Sequence, residues 1–470
     1  MAKRIIIITS FIAVLAIGVF TIPSLVKEQK IVDTPYVPIV GEYQIDKYKS
    51  MLEEAIDRYE KETPSNRVVR ETLDPLNDIT EPRYKKADGG GFDNAEAEDS
   101  GEAVLLFTGD IMCRKEQQEA AEEKYGRPDF SDSFVYIKDI FADADLVAGN
   151  LETTISESTK YTLEENITDD LPNRNAPSTY LDAIRAAGFD VVTTCNNHCL
   201  DGGVRSVYET IFHLDQYGLM HTGTFLNAED RASHPFVMAD VNGIKVAILS
   251  YGDFFNRHDK SLTDEGRECL VNKYDTQKVE DDISAAKAAG AEFIVVYTHL
   301  GREFSHDVIK KQTKEAREAA EAGADFIVSL HPHVLQKNDS IKTSDGRIVP
   351  VSYCLGNFIA SMEENDRRET AVLKLRLKKE NGKDGDDGSS DGGDGSSDGS
   401  DGSDGSSDGG SVKIASLTYI PCYTLPEYEG NVYTVVPLTP ERVKGNKELK
   451  KELEHIKGYL GDQVPCEYKY

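Results

Sequence analysis

Basic residues are scarce: 53 Lys and Arg face 83 Asp and Glu, a formal net charge of −30 over 470 residues. Phosphate backbones are bound by clustered Lys and Arg, so nucleic acid is excluded as a partner. Part of the deficit is local, since Gly382 to Ser411 holds nine Asp and one Lys and reads as a solvated segment. A paired cysteine framework is also missing. Cys113, Cys195, Cys199, Cys269, Cys354, Cys422 and Cys466 are odd in number and scattered through apolar contexts, so no disulfide scaffold is indicated. In "VSYCLGNF" the thiol lies in a strand-like run, where it behaves as a small buried hydrophobe.

Against these absences stands an uncharged run from Ile5 to Val26, preceded by Lys3 and Arg4. At about 1.5 Å per residue a helix of that length crosses a bilayer core, and basic residues ahead of it favour a cytoplasmic N-terminus. The expectation is an uncleaved anchor over 1–26, with a cleaved signal peptide as the competing reading. Residues 27–102 read as a polar tether. From Ala103 onward short apolar runs such as "VLLFTGD", "KVAILSYGD" and "EFIVVYTHLG" alternate with amphipathic segments such as "STYLDAIRAAG", several closing on Gly. That alternation predicts an α/β body. Asn242-Gly243 and Asp345-Gly346 mark hairpins, so the sheets should be mixed. The body is expected over 103–381 and 412–440, interrupted by a disordered Asp/Gly/Ser insertion at 382–411 between two strand-like runs and followed by a helical tail at 441–470. The insertion lacks the apolar position of calcium-binding glycine/aspartate repeats, so folding on calcium is not expected.

The apolar runs end, one after another, on Asp110, on Asn150 and Glu152, on Asn197 and His198, on His299, and on His331 and His333. Carboxyl ends of strands form the ligand crevice of α/β sheets. Asp or Asn alone at such a place is ordinary turn chemistry, but five successive endings supplying imidazoles, carboxylates and an amide are not. The set suits Mn, Fe or Zn as a divalent metal, one ion or two. In "TTCNNHCLDGG", Cys195 and Cys199 match no common zinc spacing. Cys195 is read as core on a strand from Phe189 to Asn197, Asn197 as a ligand and His198 as an acid or base.

The motifs "FTGDIM", "GNLET", "NNHCLDGG", "THLGRE", "LHPHVLQ" and "LGNF" resemble, in this order, those of the bacterial poly-gamma-glutamate capsule synthesis (CapA-like) family, over about Val104 to Ser361. The resemblance implies a metallo-dependent phosphatase-like fold, a four-layer α/β/β/α sandwich. It further implies Asp110, Glu152, Asn197, His299, His331 and His333 as metal ligands and His198 as the catalytic histidine with Asp201 orienting it. Glu303 would be catalytic, and Asn150, Asn357, Arg114 and Arg302 substrate-binding. One departure stands out: the usual Asp-x-His opening is Asp110-Ile111-Met112 here. Functionally this implies a single-pass membrane protein with an extracytoplasmic body, working on poly-gamma-glutamate with capsule-synthesis membrane proteins as partners. Two alternatives stay open: a secreted metal-dependent phosphoesterase on a small phosphate ester, and a non-catalytic polymer-binding scaffold.

Overall fold

The computed structural model describes residues 82–86, 91–94, 99–156, 174–380 and 411–470. The expected anchor, most of the expected tether and nearly all of the acidic insertion lie outside them. Among the described residues no helix is long and apolar enough to cross a membrane.

In chain order the body lays down β1 (Glu102–Ile111), α1 (Lys115–Tyr125), β2 (Leu146–Leu151), α2 (Thr179–Ala187), β3 (Val191–Thr193), α3 (Gly203–Gln216) and β4 (Met220–Thr222). There follow β5 (Val237–Val241), β6 (Ile244–Gly252), α4 (Thr276–Ala288), β7 (Phe293–His299), α5 (Lys310–Ala322) and β8 (Phe326–Leu330). The last part comprises β9 (Leu335–Lys342), β10 (Ile348–Leu355), β11 (Asn357–Ile359), β12 (Glu369–Glu380), β13 (Ser411–Tyr428), β14 (Asn431–Pro437) and α6 (Lys447–Leu460). As the sequence leads one to expect, α2 and α5 stop on glycines in the left-handed region, Gly188 at φ 104° and Gly323 at φ 119°.

One sheet runs β14-β13-β12-β1-β2-β3-β4, with β11 added alongside β1. The other runs β5-β6-β7-β8-β10-β9 and is extended past β5 by two short strands, Phe92–Asp93 and Lys85–Lys86. Both are mixed. The β1–β4 and β6–β7–β8–β10 neighbours are parallel, whereas β5, β9 and β12–β14 pair antiparallel. Asn242 and Gly243 join β5 to β6 with φ of 54° and 83°, the pair of positive angles that a tight hairpin needs.

The sheets face each other across a core that includes Leu105, Phe107, Ala148 and Val191 from one and Val246, Ile248, Val295 and Phe326 from the other. On its outer face the first sheet buries Leu106, Val147 and Val192 under Leu181 and Ile184 of α2 and three phenylalanines, Phe134, Phe141 and Phe189. The second sheet buries Leu249, Val296 and Ile327 under Val279 and Ile283 of α4 and Ala316, Ala319 and Ala320 of α5. This is the four-layer α/β/β/α sandwich. Leu449, Leu453, Ile456 and Leu460 of α6 complete the inter-sheet core at one end.

Within 27–102, residues near Arg83 are docked rather than free. The Arg83 guanidinium holds buried Asp190 through two bonds of 3.1 and 2.9 Å and also reaches the Gly188 carbonyl, which ties this stretch to the start of β3.

Because the central strands of both sheets are parallel, their carboxyl ends open at one edge. Register fixes it: Asp110 lies beside Asn150, Asn150 beside Thr193, and Gly252 beside His299. Gly109 allows β11 to close in on this edge, for a Cβ there would come within 2.0 Å of the Gly356 carbonyl oxygen. The Asp110 amide donates to that same carbonyl at 3.1 Å.

Candidate metal centre

Asp110 at the end of β1, Glu152 just past β2, and His299 at the end of β7 offer donor atoms within 4.8 Å of one another; so do Glu152, His331 and His333. Glu152 belongs to both groups. His299 Nε2 lies 3.4 Å, and His333 Nε2 3.6 Å, from Glu152 Oε1, and His333 Nδ1 lies 3.5 Å from Asp110 Oδ2. Asn197 Oδ1 is 2.8 Å from His299 Nε2, and His331 Nδ1 is 3.2 Å from that same nitrogen. All six residues predicted as ligands are therefore brought together, and all are buried. His331 and His333 hold φ of 98° and 59°. Such backbone costs about 1–3 kcal/mol each in a non-glycine residue and persists only where the surroundings enforce it.

Asn150 ties the wall. Its Nδ2 donates to Asp110 Oδ1 at 2.8 Å, and its Oδ1 accepts from Thr193 and Asn196 at 3.2 Å each. Asn357, brought in by β11, has Oδ1 2.8 Å from His333 Nδ1. Both residues, expected to bind substrate, are thus hydrogen-bonded here to members of the donor cluster.

Electrostatics at the cluster follow from two buried acids among three imidazoles. Burial, then Asp110, pushes the Glu152 carboxyl well above its ordinary range. Burial would raise Asp110 too, yet His333 and His299 hold it below. Burial drives His299 down to about 4 and also pulls His331 well below the ordinary imidazole range, with neighbouring imidazoles adding to the latter. Burial acts the same way on His333, but Glu152 and Asp110 overcome it and lift the imidazole to about 9.

Two observations test whether a divalent cation fits. Neither carboxylate oxygen of Glu152 accepts a hydrogen bond, although both are buried, and a buried acid without donors calls for a positive partner. The donors are nitrogen and oxygen in a mixed set, the preference of borderline divalent metals. The residues fit.

Beside the donors the stretch from Thr193 folds as a tight turn; β3 ends at Thr193, earlier than the predicted strand end at Asn197. His198 Nδ1 pairs with Asp201 Oδ2 at 2.6 Å, and the Arg174 amide donates to the same oxygen at 2.6 Å. Burial lowers the His198 pKa, against the pull of Asp201. Asp201 thus fixes the ring and leaves Nε2 as the nitrogen able to exchange a proton with something bound. Cys195 is core: its thiol donates to the Asn272 carbonyl at 3.2 Å and burial pushes it up to about 12. Cys199 is buried beside it in the same apolar cluster, and neither sulfur belongs to a donor group among the described residues.

Glu303 and Arg302 lie exposed on the loop after β7, outside the donor cluster. Glu303 acts on it only through its field, felt at Glu152, His299 and His333. Arg114 lines a neighbouring cavity together with Arg174, Arg367 and Arg368. Sequence reading missed those three, and also Asn256, whose Oδ1 accepts from Asn197 Nδ2 at 3.3 Å. Met112, where the family pattern has histidine, is buried, and its carbonyl accepts from Gln117 and Tyr180.

A four-layer sandwich with a buried nitrogen and oxygen donor cluster at its strand ends defines a metallo-site protein of the α/β class. The model of the family described as bacterial capsule synthesis protein PGA_cap matches residues 104–362, and the chain belongs to that family. It is 29% identical over 274 residues to "PGA biosynthesis protein CapA" of Bacillus subtilis, covering 58% of this chain and 67% of the relative. It is 27% identical over 275 residues to "Capsule biosynthesis protein CapA" of Bacillus anthracis, covering 58% of this chain and 64% of the relative. A crystal structure of the calcineurin-like phosphoesterase YfkN from Bacillus subtilis aligns with 76% of this chain and 99% of its own, at 15% identity and a TM-score of 0.36.

Proposed function

We propose that this protein is a metal-dependent hydrolase of poly-gamma-glutamate capsule synthesis or export, anchored by Ile5 to Val26 with its body outside the cytoplasm. The observation that carries the reading is the pair of buried donor groups sharing Glu152 inside a PGA_cap-family body. Asp110, Glu152, Asn197, His299, His331 and His333 would hold one ion or two. When bound, such an ion supplies Lewis-acid polarisation of the scissile group and a low-pKa water. Asn150 and Asn357 keep the ligands aimed, Asp201 orients His198, and His198 Nε2 moves a proton to or from the reacting group.

The same His198–Asp201 pair supports a second reading, a phosphoesterase acting on a small phosphate ester. Metal analysis of the purified protein, followed by parallel assays on phosphate esters and on poly-gamma-glutamate, decides between them. Stoichiometric metal with polymer cleavage that His198→Ala abolishes is expected. Ester turnover without polymer cleavage selects the second reading. A metal-free protein that still complements a capsule-deficient strain overturns both and leaves a polymer-binding scaffold. Fractionation of cells carrying the full chain tests the anchor, since recovery in the medium would mean a cleaved signal peptide.

A further inference from the structure

Next to the donor cluster lies a cavity of about 610 Å³ lined by four arginines, Arg114, Arg174, Arg367 and Arg368, against three glutamates, Glu116, Glu363 and Glu364. Two of those acids are already engaged: Glu364 pairs with Arg367 at 2.9 Å, and Glu116 accepts from Ser361 Oγ at 2.5 Å. Arg114 spends one nitrogen on the Ser361 carbonyl at 2.6 Å, and Arg368 bonds the Asn365 side chain. Arg174 is the anomaly. It is only 9% exposed, and its guanidinium makes no hydrogen bond or ion pair among the described residues, with Nε buried and unmatched. The Nε of Arg114 is unmatched too. Burial, and then the charge of Arg114, lowers the pKa of Arg174. Asp201, Glu152 and Glu116 reach it through their field alone; a buried cation with no hydrogen-bonded or ion-paired anion among the described residues is costly, which leaves the guanidinium able to take one.

This chamber shares a wall with the donor cluster. Arg174 donates its amide to the aspartate that orients His198. The Arg367 carbonyl accepts from Asn357 Nδ2 at 2.9 Å, while the other end of that amide meets His333. Phe304, with Arg367 stacked 3.7 Å above its ring, faces His333 at 5.9 Å between centroids.

We propose that the chamber is the subsite that seats the carboxylates of a γ-linked glutamate chain, with Arg174 and Arg114 as the principal anion-binding residues. Arginine forks match carboxylates bidentately. The volume is that of a ligand several groups long rather than of one free anion, and Phe304 and Tyr433 give methylene groups an apolar wall. The assignment rests on the reading of the adjacent centre as a hydrolytic metal site acting on this polymer.

The test is calorimetric binding of a γ-linked glutamate oligomer and of inorganic phosphate to the full chain, in the parent and in Arg174→Gln, Arg114→Gln and Arg127→Gln, with bound metal assayed in each. Arg127 is an exposed residue that pairs with Asp129 and does not line the chamber. Oligomer affinity should fall roughly 10- to 100-fold in the Arg174 and Arg114 variants, stay at the parental value in Arg127→Gln, and metal content should not change. Should Arg174→Gln fail to fold by circular dichroism, Arg114→Gln carries the test. Parental oligomer affinity in a folded, metal-loaded Arg174→Gln overturns the subsite and leaves the metal-site reading intact. Arginine-dependent binding of phosphate that the oligomer does not displace overturns the carboxylate assignment. Arginine-dependent oligomer binding by a parent that holds no metal upholds the subsite and overturns the hydrolytic reading.

Discussion

Among the described residues two places bury a pair of acids beside histidine, and they differ in how the imidazoles are held. At the strand ends, Glu152 keeps both oxygens without a donor among imidazoles held in strained backbone. Where α6 docks on β12, Glu369 accepts from His455 Nδ1 at 3.2 Å, and Glu452 accepts from Asn365 at 3.3 Å and Lys451 at 3.4 Å. Both second-site acids are buried, but His455 is half exposed. Burial, then Glu452, lifts Glu369 to about 9. The first cluster is wholly buried and counts three imidazoles among its donors, whereas the second joins α6 to the start of β12 and serves as a clasp. Neither proximity nor unmatched oxygens alone set the two apart, for Glu369 Oε2 and Glu452 Oε2 are also buried without a hydrogen-bond partner; what differs is three buried imidazoles, two of them held at positive φ, against one exposed histidine.

The largest effect that would sharpen this contrast is loss of metal. His331→Ala or Asn197→Ala should bring bound metal in the purified protein down to background, whereas Glu452→Gln should leave it unchanged; equal losses by elemental analysis would erase the distinction. Next in size, His198→Ala should retain the ion yet lower turnover by about 10² to 10⁴-fold, the usual contribution of a general acid or base. Loss of the ion in that variant would make His198 a ligand instead.

The clasp predicts a pH dependence. Its folded-state pKa is raised above the unfolded value of about 4.3, so its contribution is complete below that value and is lost as pH rises toward about 9. The melting temperature of metal-free protein should therefore fall between pH 5 and 9, and Glu369→Gln should flatten the fall. Asp366, Lys451 and His455 face the pair and will modulate the slope without reversing it. An unchanged slope in Glu369→Gln would place the proton elsewhere. The smallest effect concerns the thiols. Cys195→Ala combined with Cys199→Ser should cost about 2 kcal/mol of packing in denaturant titration and leave metal content intact; metal loss would restore a thiolate site.

The donor cluster was readable because parallel strands display their last residues at one edge, so "FTGD", "YTH" and "LHPH" announced it without knowledge of the third dimension. The four-layer architecture was legible through the alternation of strand and helix and, for its layer count, through the family motifs. The arginine chamber was not. Arg174 stands in a loop before α2, held through Thr154 and Asp201, and Arg367 and Arg368 stand in a turn before β12, with Arg367 tied to Asn357 of β11; only the tertiary fold brings them beside Arg114. Nor could spacing show that Asn150 and Asn357 would be used on the ligands, or that Arg302 and Glu303 would stand outside at the rim.

The strands that carry the donors also give the molecule a polarity. β1 is 10 residues long, about 30 Å at strand rise, with Asp110 at one end and Glu102 at the other. At the Glu102 end Lys378 of β12 pairs with Glu102, the last residues of β12 meet the first of β13 in the Glu380–Ser411 pair, and Arg83 clamps the start of β3. β12 thus ends, and β13 begins, at the pole remote from the donor cluster. A fluorophore, affinity handle or whole domain joined between Glu380 and Ser411 would therefore be attached at the ends of β12 and β13 that lie away from the donor cluster.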